Sequence, residues 1–192
     1  PGWLWDLVRS PKITPANFKH LRGGDAGAKG GIIGFVNEQF SRSVAWEDVK
    51  WMRDFWDGGF AIKGIARAED AKNAVALGAD AVWVSNHGGR QLDTSVPVID
   101  LLPEIVDAVR GRADIIADGG VRRGSHVAKL LMRGATGVAL GRASLFGLGA
   151  GGQAGVEKAL TIMEDEFRRT MALLGATNLG ELDPELMRIP KF

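Results

Sequence analysis

The chain has 192 residues, of which 45% are hydrophobic and 24% are charged, and this composition is typical of one globular domain with a substantial core. The formal net charge of +1 gives no electrostatic footprint for nucleic acid, so we expect no nucleic-acid partner. Cysteine is absent, which excludes disulfides and thiolate metal sites and fits a cytoplasmic chain, and we expect no metal centre. No apolar run approaches the length of about 18 residues that a membrane-spanning helix needs.

The first 45 residues differ in composition from the rest, and we treat 1–45 as a long loop or lid segment. A short helix is predicted near residues 2 to 9, followed by a long irregular connection that mixes aromatic, lysine and glycine residues. One interpretation is a lid or a membrane-surface segment, and the other is a mobile surface loop. The chain begins at Pro1 with no signal-peptide pattern, so we expect the natural amino terminus to lie further upstream.

From residue 46 onward, helical and strand patterns alternate. Helices are predicted over 46–56, 68–77, 98–109, 125–132 and about 156–174, and strands with their turns over 60–65, 81–84, 114–120 and 138–142. A small capping turn is predicted over 183–187. Four strands, each followed by a helix, predict an α/β fold with a parallel sheet. Two architectures suit this order: a small doubly wound sheet, or half of a (β/α)8 barrel.

The loop that follows the strand 81–84 carries the clearest chemical signal. It reads Ser-Asn-His-Gly-Gly-Arg-Gln-Leu-Asp over 85–93, with His87 and Arg90 three residues apart. Ligands of α/β proteins bind at the carboxyl ends of the strands, where this loop lies. An imidazole accepts a proton near neutral pH, and a guanidinium holds a carboxylate with two parallel hydrogen bonds. The loop therefore predicts a site that grips a small acid and removes a proton from it.

Two glycine-rich turns after the last two strands predict a phosphate site. The first is Asp118-Gly119-Gly120 and the second is Gly141-Arg142, with further positive charge from Arg122. Barrels bind phosphate at such adjacent turns through backbone N–H groups and a helix start. A GxGxxG fingerprint after the first strand, which a dinucleotide-binding sheet would need, is absent. The turns therefore favour the half barrel.

Taken together, the segments SNHGGRQLD, IKG, DGGVRRG and LGRASLFGL resemble the FMN-dependent L-2-hydroxy acid oxidase and dehydrogenase family. The segments WLWD and WEDVKWMRDFWDG are most similar to the bacterial quinone-linked L-lactate dehydrogenases, and the resemblance covers nearly the whole chain. It implies that residues 46–192 form the C-terminal half of a TIM barrel, with about four βα units. It also implies the cofactor FMN and the oxidation of an L-2-hydroxy acid, L-lactate above all, to the 2-keto acid.

The resemblance also implies a role for each matching residue. Lys63 would lie near the N1–C2 carbonyl edge of the flavin and stabilise negative charge there, and Ser85 would hydrogen-bond the flavin. His87 would be the general base, and Arg90 would pair with the substrate carboxylate. The ribityl chain and phosphate would be held by Asp118, Gly119, Gly120, Arg122, Gly141 and Arg142.

Several of these residues also have simpler interpretations. A lysine at a strand end is often a surface residue, or in barrels a Schiff-base former, and a histidine in such a loop can simply hydrogen-bond the turn. Of the adjacent Arg122 and Arg123, we expect the first to face phosphate and the second to face solvent. We expect His126 at the surface, as we do His20, and most of the tryptophans, Trp83 included, to serve packing.

The family barrel has eight strands, so the resemblance also implies what this chain lacks. Two active-site tyrosines, an aspartate that orients the base and a second substrate-contacting arginine belong to the first half, and this chain contains no tyrosine. We expect the N-terminal half of the barrel as a partner, whether the chain is a cleaved fragment, part of a longer polypeptide or a subunit of a split barrel. A half barrel on its own would expose two sheet edges.

The remaining expectations concern partners and location. The electron acceptor would be a quinone or O2, and the family implies a homo-oligomer, with a tetramer as one form. The location would be cytoplasmic, with peripheral contact at the inner face of the membrane as an extension. The alternatives are an oxidase that uses O2 on glycolate or mandelate, and a flavin-binding fragment that is catalytically incomplete.

Overall fold

A computed structural model describes residues 2–9, 40–41 and 43–187. The chain divides into two compact units, Pro1–Ala45 and Trp46–Phe192, and each is described by itself. In the first unit, helix α1 spans Gly2–Arg9, as its sequence predicts. The rest of the predicted connection, residues 10–39, lies outside the described residues.

The second unit alternates helices and strands in the predicted order. Its helices are α2 (Trp46–Phe55), α3 (Ala68–Ala76), α4 (Val98–Val109), α5 (Gly124–Met132) and α6 (Arg142–Leu174). Its strands are β1 (Ala61–Ile65), β2 (Ala81–Val84), β3 (Asp114–Ala117) and β4 (Gly137–Val138). Short 3-10 turns cover His87–Gly89, Leu179–Glu181 and Pro184–Leu186.

The four strands form one parallel sheet in the order β1-β2-β3-β4, which confirms the predicted α/β fold. Lys63 pairs with Trp83, and Trp83 pairs with Ile116 on the next strand. The register between β1 and β2 shifts at Gly64, whose φ of +95° is a left-handed value that glycine adopts without strain. Because the strands are parallel, their carboxyl ends and the loops that follow lie at one edge of the sheet.

One face of the sheet is buried beneath the helices and the other is more open. Val82 and Val84 of β2 are fully buried, as are Leu102 and Ile105 of α4. Burying such aliphatic side chains contributes roughly 1.5–3 kcal/mol each to stability. The row that runs through Lys63, Trp83 and Ile116 faces the other side and remains partly exposed. In a closed barrel this open face would line the packed interior.

Two predicted boundaries are wrong. Residues 138–142 are predicted as a strand, but β4 ends at Val138 and α6 begins at Arg142. The helix predicted from about residue 156 starts 14 residues earlier, at Arg142, although Gly151 and Gly152 interrupt it with non-helical backbone angles. The interruption reverses the chain so that Gly147 packs against the backbone of Gly155, an approach that a side chain at either position would block.

The sheet has two free edges in the described part of the chain, since β1 and β4 each pair with one neighbour there. Unpaired N–H and C=O groups on such an edge are a template for pairing with a further strand.

None of the helices in residues 2–9 and 43–187 combines the length and the apolar character that are required to span a membrane.

Candidate functional site

Three side chains from three different strands meet at the carboxyl edge of the sheet. Lys63 lies near the end of β1, Ser85 follows β2 and Asp118 follows β3. The Lys63 Nζ lies 2.6 Å from Asp118 Oδ2 and 2.9 Å from Ser85 Oγ. Ser85 Oγ in turn donates to Asp118 Oδ1 at 2.5 Å. The structure thus joins three predicted site residues into one hydrogen-bonded cluster, which we call the Lys-Ser-Asp cluster.

The exposure of this cluster is graded from its centre outward. Ser85 is 1% exposed, whereas the side chains of Asp118 and Lys63 are 19% and 42% exposed. A buried hydroxyl that is hydrogen-bonded on several sides is a fixed point, because leaving it unpaired would cost roughly 1–3 kcal/mol. The ammonium group is therefore anchored on its inner side and accessible on its outer side.

Trp83 also belongs to the cluster, although its sequence position predicts only packing. Its Nε1 donates to Asp118 Oδ2 at 3.1 Å. The Lys63 Nζ lies 5.0 Å from the centroid of its ring, within the range of a cation–π interaction. The one sequence signal that could have identified it is its place at the middle of a strand whose neighbours carry Lys63 and Asp118.

The loop after β2 holds His87 in a constrained backbone conformation. His87 has a φ of +54°, which is uncommon outside glycine. Its N–H donates to Ser85 Oγ at 3.1 Å, and Asn86 Oδ1 accepts from the Gly88 N–H at 3.0 Å. The imidazole leans over the irregular point of β1, where a Cβ added to Gly64 would lie 3.1 Å from His87 Nε2. The base candidate therefore lies beside the strand that carries Lys63.

Arg90 lies one turn beyond His87 at the same edge of the sheet. Its residue is exposed, and within the described part of the chain its guanidinium has no hydrogen-bond or ion-pair partner. A guanidinium with free N–H groups on an exposed loop can receive a planar carboxylate. His87 and Arg90 thus lie on the same loop, and both residues are exposed.

The two glycine turns leave open space beside basic residues. Gly119 and Gly120 have φ values of +103° and +73°, and a Cβ added to Gly120 or Gly141 would meet no atom within 4 Å. Gly141 directly precedes α6, so the unpaired N–H groups at the start of that helix point toward the turn. Arg142 also reaches the His87 loop, where its Nη2 donates to the Gly88 carbonyl at 3.2 Å.

The sequence predicts His126 at the surface, but the structure places it half buried against the first glycine turn. Its Nδ1 is 3.2 Å from the Gly120 carbonyl oxygen and 3.3 Å from the Arg122 backbone nitrogen. The imidazole therefore stabilises the turn in either tautomer. Nδ1 donates to the Gly120 carbonyl when it carries the proton, and it accepts from the Arg122 N–H when it does not. A position three residues into a helix gave no sequence signal for this contact.

An apolar cleft of about 280 Å3 lies beside the same turn, and His126 is among the residues that line it. It is lined by α4 and α5 through Val98, Ile99 and Leu130, and by Gly119 and Gly120. Lys63, His87 and Arg90 do not line it. The surface that carries the chemically useful side chains is thus the open carboxyl edge of the sheet, and the cleft lies apart from these three side chains.

Known proteins of one family are similar to this chain over nearly its whole length. A family model described as FMN-dependent dehydrogenase matches residues 2–189. An L-lactate dehydrogenase of Ectopseudomonas mendocina is 44% identical over 188 residues, which cover 97% of this chain and 49% of that protein. An L-lactate dehydrogenase of Xanthomonas euvesicatoria pv. vesicatoria is 44% identical over 97% of this chain and 48% of its own length. The chain thus spans about half the length of the curated relatives it matches.

Solved structures give the same result at the level of the fold. The monotopic membrane protein (S)-mandelate dehydrogenase superposes with a TM-score of 0.86 and 35% identity, over 98% of this chain and 49% of that chain. A mandelate oxidase mutant with a monooxide FMN adduct superposes with a TM-score of 0.72 and 42% identity, over 76% of this chain and 46% of that chain. The coverage is consistent with half of a TIM barrel. The chain therefore belongs to the FMN-dependent dehydrogenase family, whose members oxidise 2-hydroxy acids.

Proposed function

We propose that this chain forms the C-terminal half of an FMN-dependent dehydrogenase that oxidises L-lactate to its 2-keto acid. The observation that carries the proposal is the convergence of Lys63, His87 and Arg90 with two glycine turns at one edge of the sheet. The choice of L-lactate is supported by the L-lactate dehydrogenases that are 44% identical over 97% of the chain.

The residues present fit a phosphorylated flavin. Open space at Gly120 and Gly141, the first N–H groups of α6 and the basic side chains of Arg122 and Arg142 suit a phosphate dianion. Gly119 and Asp118 precede this space on the same turn and suit the hydroxyl groups of a ribityl chain. We assign these six residues to FMN, which when bound supplies the acceptor for the two electrons of the substrate.

Lys63 is assigned to the pyrimidine side of the flavin ring, and Ser85, whose buried hydroxyl is fully hydrogen-bonded, to holding Lys63 there. The exposed ammonium of Lys63 can face a developing negative charge while Ser85 and Asp118 hold the lysine side chain in place. This pairing also argues against a Schiff-base lysine, because the Lys63 Nζ is already engaged in hydrogen bonds to Asp118 and Ser85.

His87 and Arg90 are assigned to the substrate. The planar guanidinium of Arg90 receives the carboxylate of the 2-hydroxy acid through paired hydrogen bonds and fixes its orientation. The imidazole of His87 then accepts a proton from the substrate, and the hydrogen bond from its backbone N–H to Ser85 keeps the ring at the edge of β1.

The remaining half of the barrel is assigned to a further segment, either of the same polypeptide or of a second chain. Free edges at β1 and β4, and the partly exposed row through Trp83 and Ile116, support this assignment within the described residues. The complete enzyme would pass electrons to a quinone and form a homo-oligomer, as a tetramer in one form. Peripheral contact with a membrane is supported by the description of the related (S)-mandelate dehydrogenase as monotopic and by exposed Trp5 and Val8 on α1.

The test is anaerobic reduction of bound flavin in the enzyme that contains this chain. We expect the visible absorbance of FMN to bleach on addition of L-lactate and to remain unchanged with D-lactate. Arg90→Lys should raise the KM for L-lactate by about 10- to 100-fold, because a point charge replaces a planar fork. If FMN binds but no 2-hydroxy acid bleaches it, the proposed reaction is wrong.

A second candidate function is an oxidase acting on mandelate or glycolate. Structural similarity to a mandelate oxidase at 42% identity favours it. Oxygen uptake and the order of substrate preference separate the two candidates. Bleaching by L-mandelate in preference to L-lactate, with rapid reoxidation by O2, would replace the dehydrogenase assignment by the oxidase.

A further inference from the structure

We propose that Trp83 is a positioning residue whose indole N–H holds the Asp118 carboxylate, so that Lys63 can turn its charge toward the flavin. The inference rests on the proposed function and assigns to it a residue outside the matched motifs. Trp83 lies directly between Lys63 on β1 and Ile116 on β3, on the open face of the sheet. From there its Nε1 reaches Asp118 Oδ2 at 3.1 Å.

The Asp118 carboxylate receives donors on both of its oxygens. Oδ2 accepts from the Lys63 ammonium at 2.6 Å and from Trp83, while Oδ1 accepts from Ser85 at 2.5 Å. A carboxylate has about four acceptor positions, so Oδ2 can serve both donors at the same time. When the ammonium moves away, Trp83 and Ser85 still hold one oxygen each, and the carboxylate keeps its position.

An indole is suited to this task because it only donates. Its N–H has no acceptor capacity and carries no formal charge, so it stabilises Asp118 without competing with Lys63 for negative charge elsewhere. Its ring face also lies 5.0 Å from the Lys63 Nζ, which gives the ammonium a second favourable surface. Besides the carboxylate, the ammonium is thus held by the face of the Trp83 ring and by Ser85 Oγ. The Lys63 side chain nevertheless remains 42% exposed.

Removing the N–H alone should therefore tighten the pair between Lys63 and Asp118. With one donor fewer, the negative charge on Oδ2 is compensated by the ammonium alone, and less positive potential is available to a reduced flavin. Trp83→Phe keeps a ring beneath Lys63 and removes only the donor. The matched control is Trp56→Phe, since the Trp56 Nε1 also donates one hydrogen bond, to the Gly59 carbonyl at 3.2 Å, in a turn before β1.

The first test needs no flavin. The chain has six tryptophans, and Trp83→Phe identifies the Trp83 indole signal in a 15N-correlated spectrum by removing it. We expect this N–H to exchange with solvent at least tenfold more slowly than that of Trp51, which is 56% exposed. Asp118→Asn should move the Trp83 signal upfield and leave the Trp56 signal in place. An N–H that exchanges as fast as that of Trp51, or that ignores the substitution, would overturn the proposal.

The second test uses the FMN-loaded enzyme that contains this chain. We expect Trp83→Phe to weaken FMN binding by about three- to tenfold, a range that corresponds to the worth of the one hydrogen bond lost to Asp118. The midpoint potential of the bound flavin should also fall, because the tighter pair leaves less positive charge facing the ring. Trp56→Phe should change neither quantity. Equal potentials and affinities in the two variants would refute the role of Trp83, whereas a parental enzyme that binds no FMN would refute the proposed function and leave the solvent-exchange result to judge Trp83 separately.

Discussion

Ser85→Ala tests the interior of the Lys-Ser-Asp cluster by removing one oxygen atom. Ser85 is 1% exposed, and its Oγ donates to Asp118 while accepting from the Lys63 ammonium and the His87 N–H. Alanine fills nearly the same volume, so the change isolates hydrogen bonding from packing. It leaves the His87 N–H and one oxygen of Asp118 without their partner.

The expected cost follows from the kind and exposure of these bonds. The bond from the backbone N–H of His87, an uncharged donor, is worth about 1 kcal/mol, and a buried bond to a charged group is worth about 1.5–3 kcal/mol. Because the Asp118 and Lys63 side chains are 19% and 42% exposed, water replaces part of what they lose. We therefore expect a net loss of about 2–3 kcal/mol, which for a chain of this size lowers the Tm by roughly 5–10 °C.

Ser95→Ala is the matched control, because the same atom is removed from a different environment. Ser95 Oγ is buried, but it has no hydrogen-bond partner within the described residues. Removing an unpaired buried hydroxyl relieves a desolvation penalty, so this variant should keep its stability or gain up to about 1 kcal/mol. Both variants are compared by thermal unfolding followed by circular dichroism without flavin. Equal changes in Tm would contradict the hydrogen-bond assignment of Ser85.

Three further predictions address the base, the helix contact and the carboxyl-terminal turn. His87→Gln should bind FMN within about threefold of the parental affinity but slow flavin reduction by L-lactate at least 100-fold, as stopped-flow absorbance would show. Gly124→Ala places a Cβ into the backbone of α6 and should cost about 1–3 kcal/mol by urea unfolding, whereas Gly149→Ala, where a Cβ meets no atom within 4 Å, should cost nothing. The hydrogen bonds from the Thr177 N–H and hydroxyl hold the pKa of Glu181 below its usual value of 4.5. The stability that they contribute is present above that pH and is lost as the pH falls through the lowered pKa, so the difference in stability between the parental chain and Glu181→Gln should vanish in an acid titration.

The sequence alone was enough for the order of elements and for the family. Apolar runs such as 81–84 and the glycines that follow each helix predict the strands and their parallel arrangement, and the structure confirms both. These signals are local, because a buried strand and a helix end each require particular residue types at their own positions. The motifs around His87 and Asp118 likewise identify the family, which the comparisons confirm.

The end of the sheet shows where local signals fail. Residues 138–142 have a strand-like composition, but only Gly137 and Val138 pair with β3, and the chain then turns into α6. Strand length is decided by the neighbour that is available for pairing, and composition does not contain that information. The break at Gly151 and Gly152 is similar, since the packing of Gly147 on Gly155 depends on two segments meeting in space.

The sequence by itself therefore determined the fold class, the family and the loop that carries His87 and Arg90, because these depend on residue types at fixed spacing. Only the tertiary structure decided that Trp83 donates to Asp118 and that His126 braces the glycine turn. The Trp83 contact joins neighbouring strands, and the partner of a side chain across a sheet is set by strand register, which no single segment specifies. The His126 contact spans only six residues of sequence, but it depends on the direction in which α5 leaves the turn.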